Sequence, residues 1–357
     1  MLFVRTDDLK PGMRLAKPIY NKMGVMLYER DSKLTMQGIV AIRNFGFIGI
    51  YILEMAEPVP PMTEEDIEFE RFQTVGIFGL KEDMDRIKNN KRPNNIVKTT
   101  NQIVAKYGGL DHKINFIQNL RSQDDTVYKH SLNVAILCAL MSKTCGMQAY
   151  DQSDLVVAAL FHDLGKLLLP PSKRYLDEDT AEGDDLEFMN RCMREGYEKV
   201  RNSFNLSQNV QTLLGEFYSK KEELDELSRG CKILQVADAF DRMTAMKIDA
   251  EPSSEITAIR TLQSSGKYDK DIVKALIQSI NILMPGVCVE LTNGAKGLVI
   301  TENTDDVLRP LVLGFEQNQL YQLSSDTVYA NIQIKDIMKT MDNRFVMDRK
   351  LLEEYQG

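Results

Sequence analysis

The sequence predicts a mainly α protein: an all-helical domain flanked by a small N-terminal α+β module and a small C-terminal β module. Three observations lead there. From about residue 63 to 280 apolar residues recur at the 3.6-residue helical spacing. Before that stretch, short apolar-polar alternations are separated by turn residues, and after Met284-Pro285-Gly286 the alternation returns. At 357 residues the chain also exceeds the usual size of one domain. The expected divisions are an N-terminal module (1–55), a linker with helices (56–115), the helical domain (116–284), a β module (285–338) and a terminal helix or tail (339–357).

Each element has a local reason. "LKPGMRLAKPIY" places a turn at Pro11-Gly12 before a strand, "NKMGVML" suggests its hairpin neighbour, "TMQGIVAIRNFG" a short helix stopped at Gly46, and "FIGIYIL" a buried strand. "EMAEPVPPMTEEDIE" crowds three prolines into four residues and reads as a linker or domain edge. "VYKHSLNVAILCALMSKTCG" is apolar around most of its circumference and stops at Gly146, as a deeply buried helix would. "SDLVVAALFHDLG" is equally apolar, with Ser153 as its expected N-cap. Further helical segments run to residue 283. Asn293-Gly294 then signals a hairpin between alternating runs, and "IQIKDIMKTMDNRF" onward is read as a terminal helix.

Composition narrows the partners. A net charge of −8 argues against a nucleic-acid polymer, whose phosphates need clustered Lys and Arg. No apolar run is long enough to span a bilayer and the N-terminus has no signal-like apolar stretch, so a cytoplasmic protein is expected. Five cysteines lack CxxC spacing, which indicates neither a disulfide framework nor a zinc knuckle.

The chemistry gathers around His162-Asp163, where the apolar run "AALFHDLGKLLLPP" is interrupted. Adjacent helical residues diverge by about 100°, so the pair can meet one ion only at a helix end or a distorted turn. His130 and Asp238 lie in two other apolar helices. Three apolar helices each carrying a buried ionisable group call for a common partner, because burying a lone charge costs several kcal/mol. A divalent cation held by His130, His162, Asp163 and Asp238 would serve all four. Other readings stay open at this level. His130 could bond a backbone carbonyl, Asp238 could pair with Arg242, Asp241 reads as a salt-bridging neighbour, and Lys166 could simply favour a helix C-terminus.

The order His…His-Asp…Asp resembles the ligand quartet of the HD superfamily of metal-dependent phosphohydrolases. "DDTVYKHSLNVAILCALM", "LVVAALFHDLGKLLLPP" and "KILQVADAFDRMT" resemble its HD-GYP branch, whose characterised members hydrolyse cyclic di-GMP. The flanking modules resemble those found with bacterial HD-GYP domains. The resemblance implies an HD-type helical fold, metal ligation by His130, His162, Asp163 and Asp238, and contact of Lys166 with substrate phosphate. Asp163 and Lys166 are then the catalytic pair. The implied cofactor is one divalent ion (Mn, Fe, Zn, Ni or Co), and the implied partner a nucleotide or cyclic dinucleotide, with a homodimer or a signalling protein as further partners.

The branch's other ligands are replaced. Cys192 stands where the branch has the His of an HPxxG helix, and is read as mostly core. Between Gly196 and Asp238 the chain has "LLGEFYSKKEELDELSRGCKI" in place of an HHExxDGxGYP block, with Glu216 as the match to the block's glutamate. Thr126 replaces a carboxylate one turn before His130, and His112 matches no motif. The implied function is therefore a bacterial signalling phosphohydrolase reduced to one metal, not expected to turn over cyclic di-GMP by the usual route. A non-catalytic HD-fold binding or signalling module is the alternative.

Overall fold

The computed structural model describes residues 2–21, 24–30, 32–53, 63–122, 124–174, 181–219, 224–246, 251–315 and 319–338. It is mainly helical, with small sheets at both ends of the chain. The N-terminal module contains β1 (Leu2–Arg5), β2 (Arg14–Leu15), β3 (Ile19–Tyr20), β4 (Met26–Tyr28), α1 (Met36–Asn44) and β5 (Gly49–Leu53). Strands β1, β5 and β2 form an antiparallel sheet in that order, and β3 pairs with β4. Val4, Leu15, Ile39, Ile42 and Ile50 close a small core between this sheet and α1. The Pro11-Gly12 turn uses a positive φ of 91° at Gly12, a region that glycine enters freely. Thr35 caps α1 by accepting the Gly38 N–H at 3.0 Å, as an N-cap hydroxyl should.

The helical body contains α2 (Glu64–Lys88), α3 (Ile96–Tyr107), α4 (Thr126–Thr144), α5 (Ala149–Phe161), α6 (Gly183–Ser203), α7 (Gln208–Ser219), α8 (Arg229–Thr244), α9 (Glu255–Ser264) and α10 (Lys270–Ser279). Helix α4 is buried continuously from Val127 to Ser142 and packs against α2, α3, α5, α8 and α10. Phe69 of α2 and Ile103 of α3 share one core with Leu132, Phe161 and Phe240. The N-terminus of α5 differs from the sequence expectation. The helix begins four residues before Ser153, with Gln148 as N-cap, and Ser153 Oγ instead donates back to the Ala149 carbonyl. A polar residue inside the first turns can bond the preceding turn as readily as cap it.

After α5 the chain tightens into a 3-10 turn, Leu164–Leu168, that lies directly on α6. A Cβ at Gly165 would sit 2.4 Å from Met193 Cα and 2.7 Å from the Cys192 carbonyl oxygen. A Cβ at Gly196 would in turn sit 2.4 Å from Gly165 Cα. The two glycines thus let backbone meet backbone, which fixes where the end of α5 sits.

The C-terminal module contains β6 (Cys288–Leu291), β7 (Lys296–Thr301), β8 (Leu311–Gly314), β9 (Leu320–Gln322), the short helix α11 (Asp326–Tyr329) and β10 (Ile334–Ile337). Its sheet runs β10-β6-β7-β8-β9, antiparallel throughout. Gly294 takes φ 83° in the β6–β7 turn, where Asn-Gly was the hairpin signal. The segment from Ile332 is not a terminal helix over its described part. Ile334–Ile337 is a strand paired with β6, because Ile334 opposite Leu291 buries its side chain on the sheet's inner face. The expected tail, 339–357, lies outside the described residues, as do the proline-rich residues 54–62. No helix among the described residues is long and apolar enough to cross a membrane.

The N-terminal module docks on the loop before α4. Ile48 N–H donates to the Arg121 carbonyl at 2.8 Å, and Lys17 Nζ donates to the Gln118 carbonyl at 3.0 Å. That contact joins the module to the loop carrying Arg121, whose side chain enters the functional site.

The glycine contact has a direct test. Gly165→Ala is expected to lower stability by about 1–3 kcal/mol or more, the range for overpacking. Gly109→Ala, where a Cβ meets nothing within 4 Å, should stay near wild type. Denaturant unfolding of the two variants measures the difference, and equal midpoints would refute the close-approach argument.

Candidate metal centre

Four buried groups from three helices converge. His130 comes from α4, His162 and Asp163 from the end of α5, and Asp238 from α8. Helix α5 stops at Phe161, His162 is its C-cap, and Asp163 already leaves the helical region at φ −106°, ψ 13°. That break lets two adjacent side chains face the same point.

The nitrogens and oxygens lie within one coordination sphere of each other. His130 Nε2 and His162 Nε2 are 3.2 Å apart, and Asp238 Oδ1 is 3.0 Å from the first and 3.2 Å from the second. Asp163 Oδ2 is 3.6 Å from His130 Nε2. His130, His162 and Asp163 each offer a ligand atom within 4.8 Å of the others.

Hydrogen bonding on the far side of each ring decides what those nitrogens can do. His162 Nδ1 lies 2.6 Å from the Ala159 carbonyl, which can only accept, so Nδ1 carries the hydrogen. His130 Nδ1 lies 2.7 Å from Asp241 Oδ2. Asp241 is fully buried and already accepts from Arg121 Nη2 at 2.6 Å, Asn133 Nδ2 at 2.8 Å and Gln118 Nε2 at 3.1 Å. Burial opposes its ionisation, but the Arg121 guanidinium and the bonded His130 ring together overcome burial and hold the carboxyl well below the usual carboxylate range. Ionised Asp241 only accepts, so His130 Nδ1 donates. With Nδ1 carrying a hydrogen on each ring, the two Nε2 atoms face each other and two carboxylates.

A cation at this point would be met by two ring nitrogens and two carboxylates. Metal–ligand bonds of about 2.1 Å separate neighbouring donor atoms by roughly 3.0–3.5 Å, close to the spacing observed. Two imidazoles with two carboxylates suit a borderline divalent ion, and Nδ1–H bonded to a carboxylate or carbonyl is how metal-bound histidines are oriented. The residues fit the group. Burial lowers the pKa of His130, yet its bonds to Asp238 and Asp241 reverse this and raise it.

Two side-chain cations already border the centre. Arg242 donates Nε to Asp238 Oδ1 at 2.8 Å and Nη2 to Asp163 Oδ1 at 3.2 Å. Buried Lys166 places Nζ 3.3 Å from Asp163 Oδ2. Burial opposes ionisation of Asp163 and Asp238, but Arg242 and the neighbouring histidines, joined by Lys166 at Asp163, together overcome it and hold both carboxyls below the usual carboxylate range. The sequence suggested Arg242 as a partner of Asp238; its bridge to Asp163 was not anticipated. The cradle of Gln118, Arg121 and Asn133 around Asp241 was also missed, although an acidic residue one turn after Asp238 was its visible signal.

The remaining candidates lie elsewhere. Cys192 sits in an apolar cluster with Leu169, Met189 and Met193. Glu216 accepts from Ser228 N–H at 3.0 Å and Ser228 Oγ at 2.6 Å, so it secures the start of α8. Thr126 is the first residue of α4. His112 is half-exposed between Glu65 and Asp111, whose hydrogen bonds raise its pKa.

Residues 127–243 match the family model of the HD domain, and this segment contains the whole convergence of His130, His162, Asp163 and Asp238. The chain carries an HD domain and is related to the HD superfamily. It is 24% identical over 181 residues to the cyclic di-GMP phosphodiesterase PdeB of Borreliella burgdorferi. That match takes in 48% of this chain and 47% of PdeB, so it spans about half the length of the relative. Among solved structures, Bd1817, an HDG"Y"P protein from Bdellovibrio bacteriovorus, is similar with a TM-score of 0.49 and 16% identity, over 77% of this chain and 97% of that one.

Asp241 sets the acid response of the site. A carboxyl with a depressed folded pKa adds stability above its unfolded value of about 3.9 and loses it as pH falls through the folded value. Asp241→Asn should cost about 3–5 kcal/mol at pH 7, because Arg121 becomes an uncompensated buried charge. Its stability should also fall less steeply than wild type below about pH 4. Denaturation midpoints at pH 7 and pH 3 check both; parallel pH profiles would contradict the assignment.

Proposed function

We propose that the protein is an HD-GYP-related phosphohydrolase using one divalent metal ion to cleave a phosphoester of a nucleotide or cyclic dinucleotide. The observation carrying this reading is the facing pair of Nε2 atoms, on rings fixed by hydrogen-bonded Nδ1 atoms and flanked by two ionised carboxylates. The named activity of PdeB, matched over about half its length, supports the nucleotide class. His130, His162, Asp163 and Asp238 would hold the metal. When bound, such an ion acidifies water and neutralises charge developing on a phosphoryl oxygen.

The chain's own residues perform the rest. Asp241 and the Ala159 carbonyl keep both imidazoles in the Nδ1–H form and in fixed orientation. The Tyr218 hydroxyl donates to the His162 carbonyl and helps hold the end of α5 in place. Lys166 keeps an ammonium beside Asp163, where it would meet a substrate phosphate oxygen as a point charge. Arg242 adds a second fixed positive charge across Asp163 and Asp238. In a centre reduced to one metal, that guanidinium supplies part of the charge that a second ion provides in a two-metal clamp.

The Arg242 bridge also favours a second reading. A guanidinium that neutralises both carboxylates could leave the domain as a binding or signalling module without turnover. Calorimetric titration with Mn, Fe(II), Zn, Ni and Co separates the two. The phosphohydrolase reading expects about one ion per wild-type chain and none in His162→Ala. It further expects turnover of a nucleotide or cyclic dinucleotide that Asp163→Ala lowers by two orders of magnitude or more, roughly the several kcal/mol of metal-ion stabilisation. Metal uptake by Arg242→Ala but not by wild type would select the module reading.

A further inference from the structure

A second site lies outside the metal centre. Where the N-terminal module docks on α2 and on the loop before α4, the chain forms a half-open cavity of about 560 Å³. That volume belongs to the range of small-molecule pockets. Its walls include Tyr20, Phe45, Glu70, Gln73, Phe78 and Lys81.

The polar atoms in these walls are incompletely matched. Glu70 Oε2, Gln73 Oε1 and Tyr20 Oη are buried without a hydrogen-bond partner among the described residues. Glu70 and Gln73 are 8% and 1% exposed, so solvent does not satisfy them. Buried polar atoms almost always find partners, and three unmatched atoms around one cavity point to a ligand that supplies them. Burial pushes the Glu70 carboxyl up to about 7 against the opposing charge of Lys17.

The ligand's chemistry follows from the atoms. Glu70 and Gln73 are three apart on α2 and therefore share a face, presenting two neighbouring acceptors. Gln73 Nε2 is committed to the Asn133 side chain and the Ile117 carbonyl, which leaves only its oxygen for a ligand. Two adjacent acceptors call for a planar group with two adjacent N–H donors. A guanine ring offers this on its N1–H and N2–H₂ edge, whereas adenine has one donor nitrogen there. Phe45 and Phe78 are partly exposed, 42% and 37%, and suit the faces of such a ring.

The cavity is wired to the metal centre. Gln73 Nε2 donates to Asn133 Oδ1 at 2.9 Å, Asn133 Nδ2 donates to Asp241 Oδ1 at 2.8 Å, and Asp241 Oδ2 accepts from His130 Nδ1 at 2.7 Å. We propose that this cavity binds the guanine ring of a nucleoside or nucleotide, and that His130 senses its occupancy through Gln73, Asn133 and Asp241. The binding half stands by itself; the sensing half rests on the metal-centre reading.

Equilibrium binding of guanosine, GMP, adenosine and inorganic phosphate to the full-length chain tests the proposal. Guanosine should bind at least about tenfold more tightly than adenosine, the discrimination of one well-placed hydrogen-bond pair. Glu70→Gln and Phe78→Ala, each checked for native folding by circular dichroism, should weaken it by a similar factor. In metal-free buffer Asp163→Ala should leave it unchanged, which places the ligand away from the metal centre. No guanosine binding at millimolar concentration, equal binding of adenosine, or indifference to both cavity substitutions would overturn the site. Coupling is reciprocal, so guanosine should shift Mn affinity several-fold, and also the side-chain ¹⁵N resonances of His130. Gln73→Met should abolish both shifts; guanosine binding that moves neither in wild type would overturn the sensing. Failure to bind any metal would remove the phosphohydrolase reading while leaving guanosine binding intact.

Discussion

The ion pair between Arg121 and Asp241 is the constraint on which the centre depends. Both groups are buried, so neither tolerates the other's loss. Gln118 and Asn133 donate to Asp241 Oδ1, while Oδ2 accepts from Arg121 and orients His130. Through this one carboxylate, the loop before α4, helix α4 and helix α8 are held in a single register. The same loop receives the N-terminal module, so the module's docking and the orientation of a candidate metal ligand share one structural joint.

Around that joint the site sorts its charges. Two imidazoles and two carboxylates bring acceptors together, while Arg242 and Lys166 balance the carboxylates from outside. This balance lets ionised groups remain in an interior that would otherwise exclude them. It also sets the contest between a bound ion and a guanidinium for the same negative charge.

Much of the fold and the centre was legible because it depends on local pattern. The apolar circumference of α4 marked it as central, and the polar break at His162-Asp163 marked the end of α5. Pro11-Gly12 and Asn293-Gly294 announced turns that need positive φ. What stayed hidden depends on distant partners. Gly165 reads as a helix stop, but its requirement is the backbone of α6, nearly thirty residues away. Ile334–Ile337 carries apolar residues that fit a helix locally, and only pairing with β6 makes it a strand. Ser153 resembles an N-cap until the first turn of α5 is seen to start at Ala149. Nothing local to Arg242 indicates that it spans two carboxylates from different helices, or to Glu216 that it serves α8.

The central claim is that His130 and His162 both direct Nε2 lone pairs at one cation. Long-range ¹H–¹⁵N correlation spectra of ¹⁵N-histidine-labelled protein, recorded before and after Zn addition, test this most directly. The account predicts Nδ1–H on both rings, with both Nε2 resonances shifting on Zn binding and neither shifting in Asp238→Ala. Nε2–H on either ring of the Zn-treated wild type, or Nε2 resonances indifferent to Zn, would contradict it.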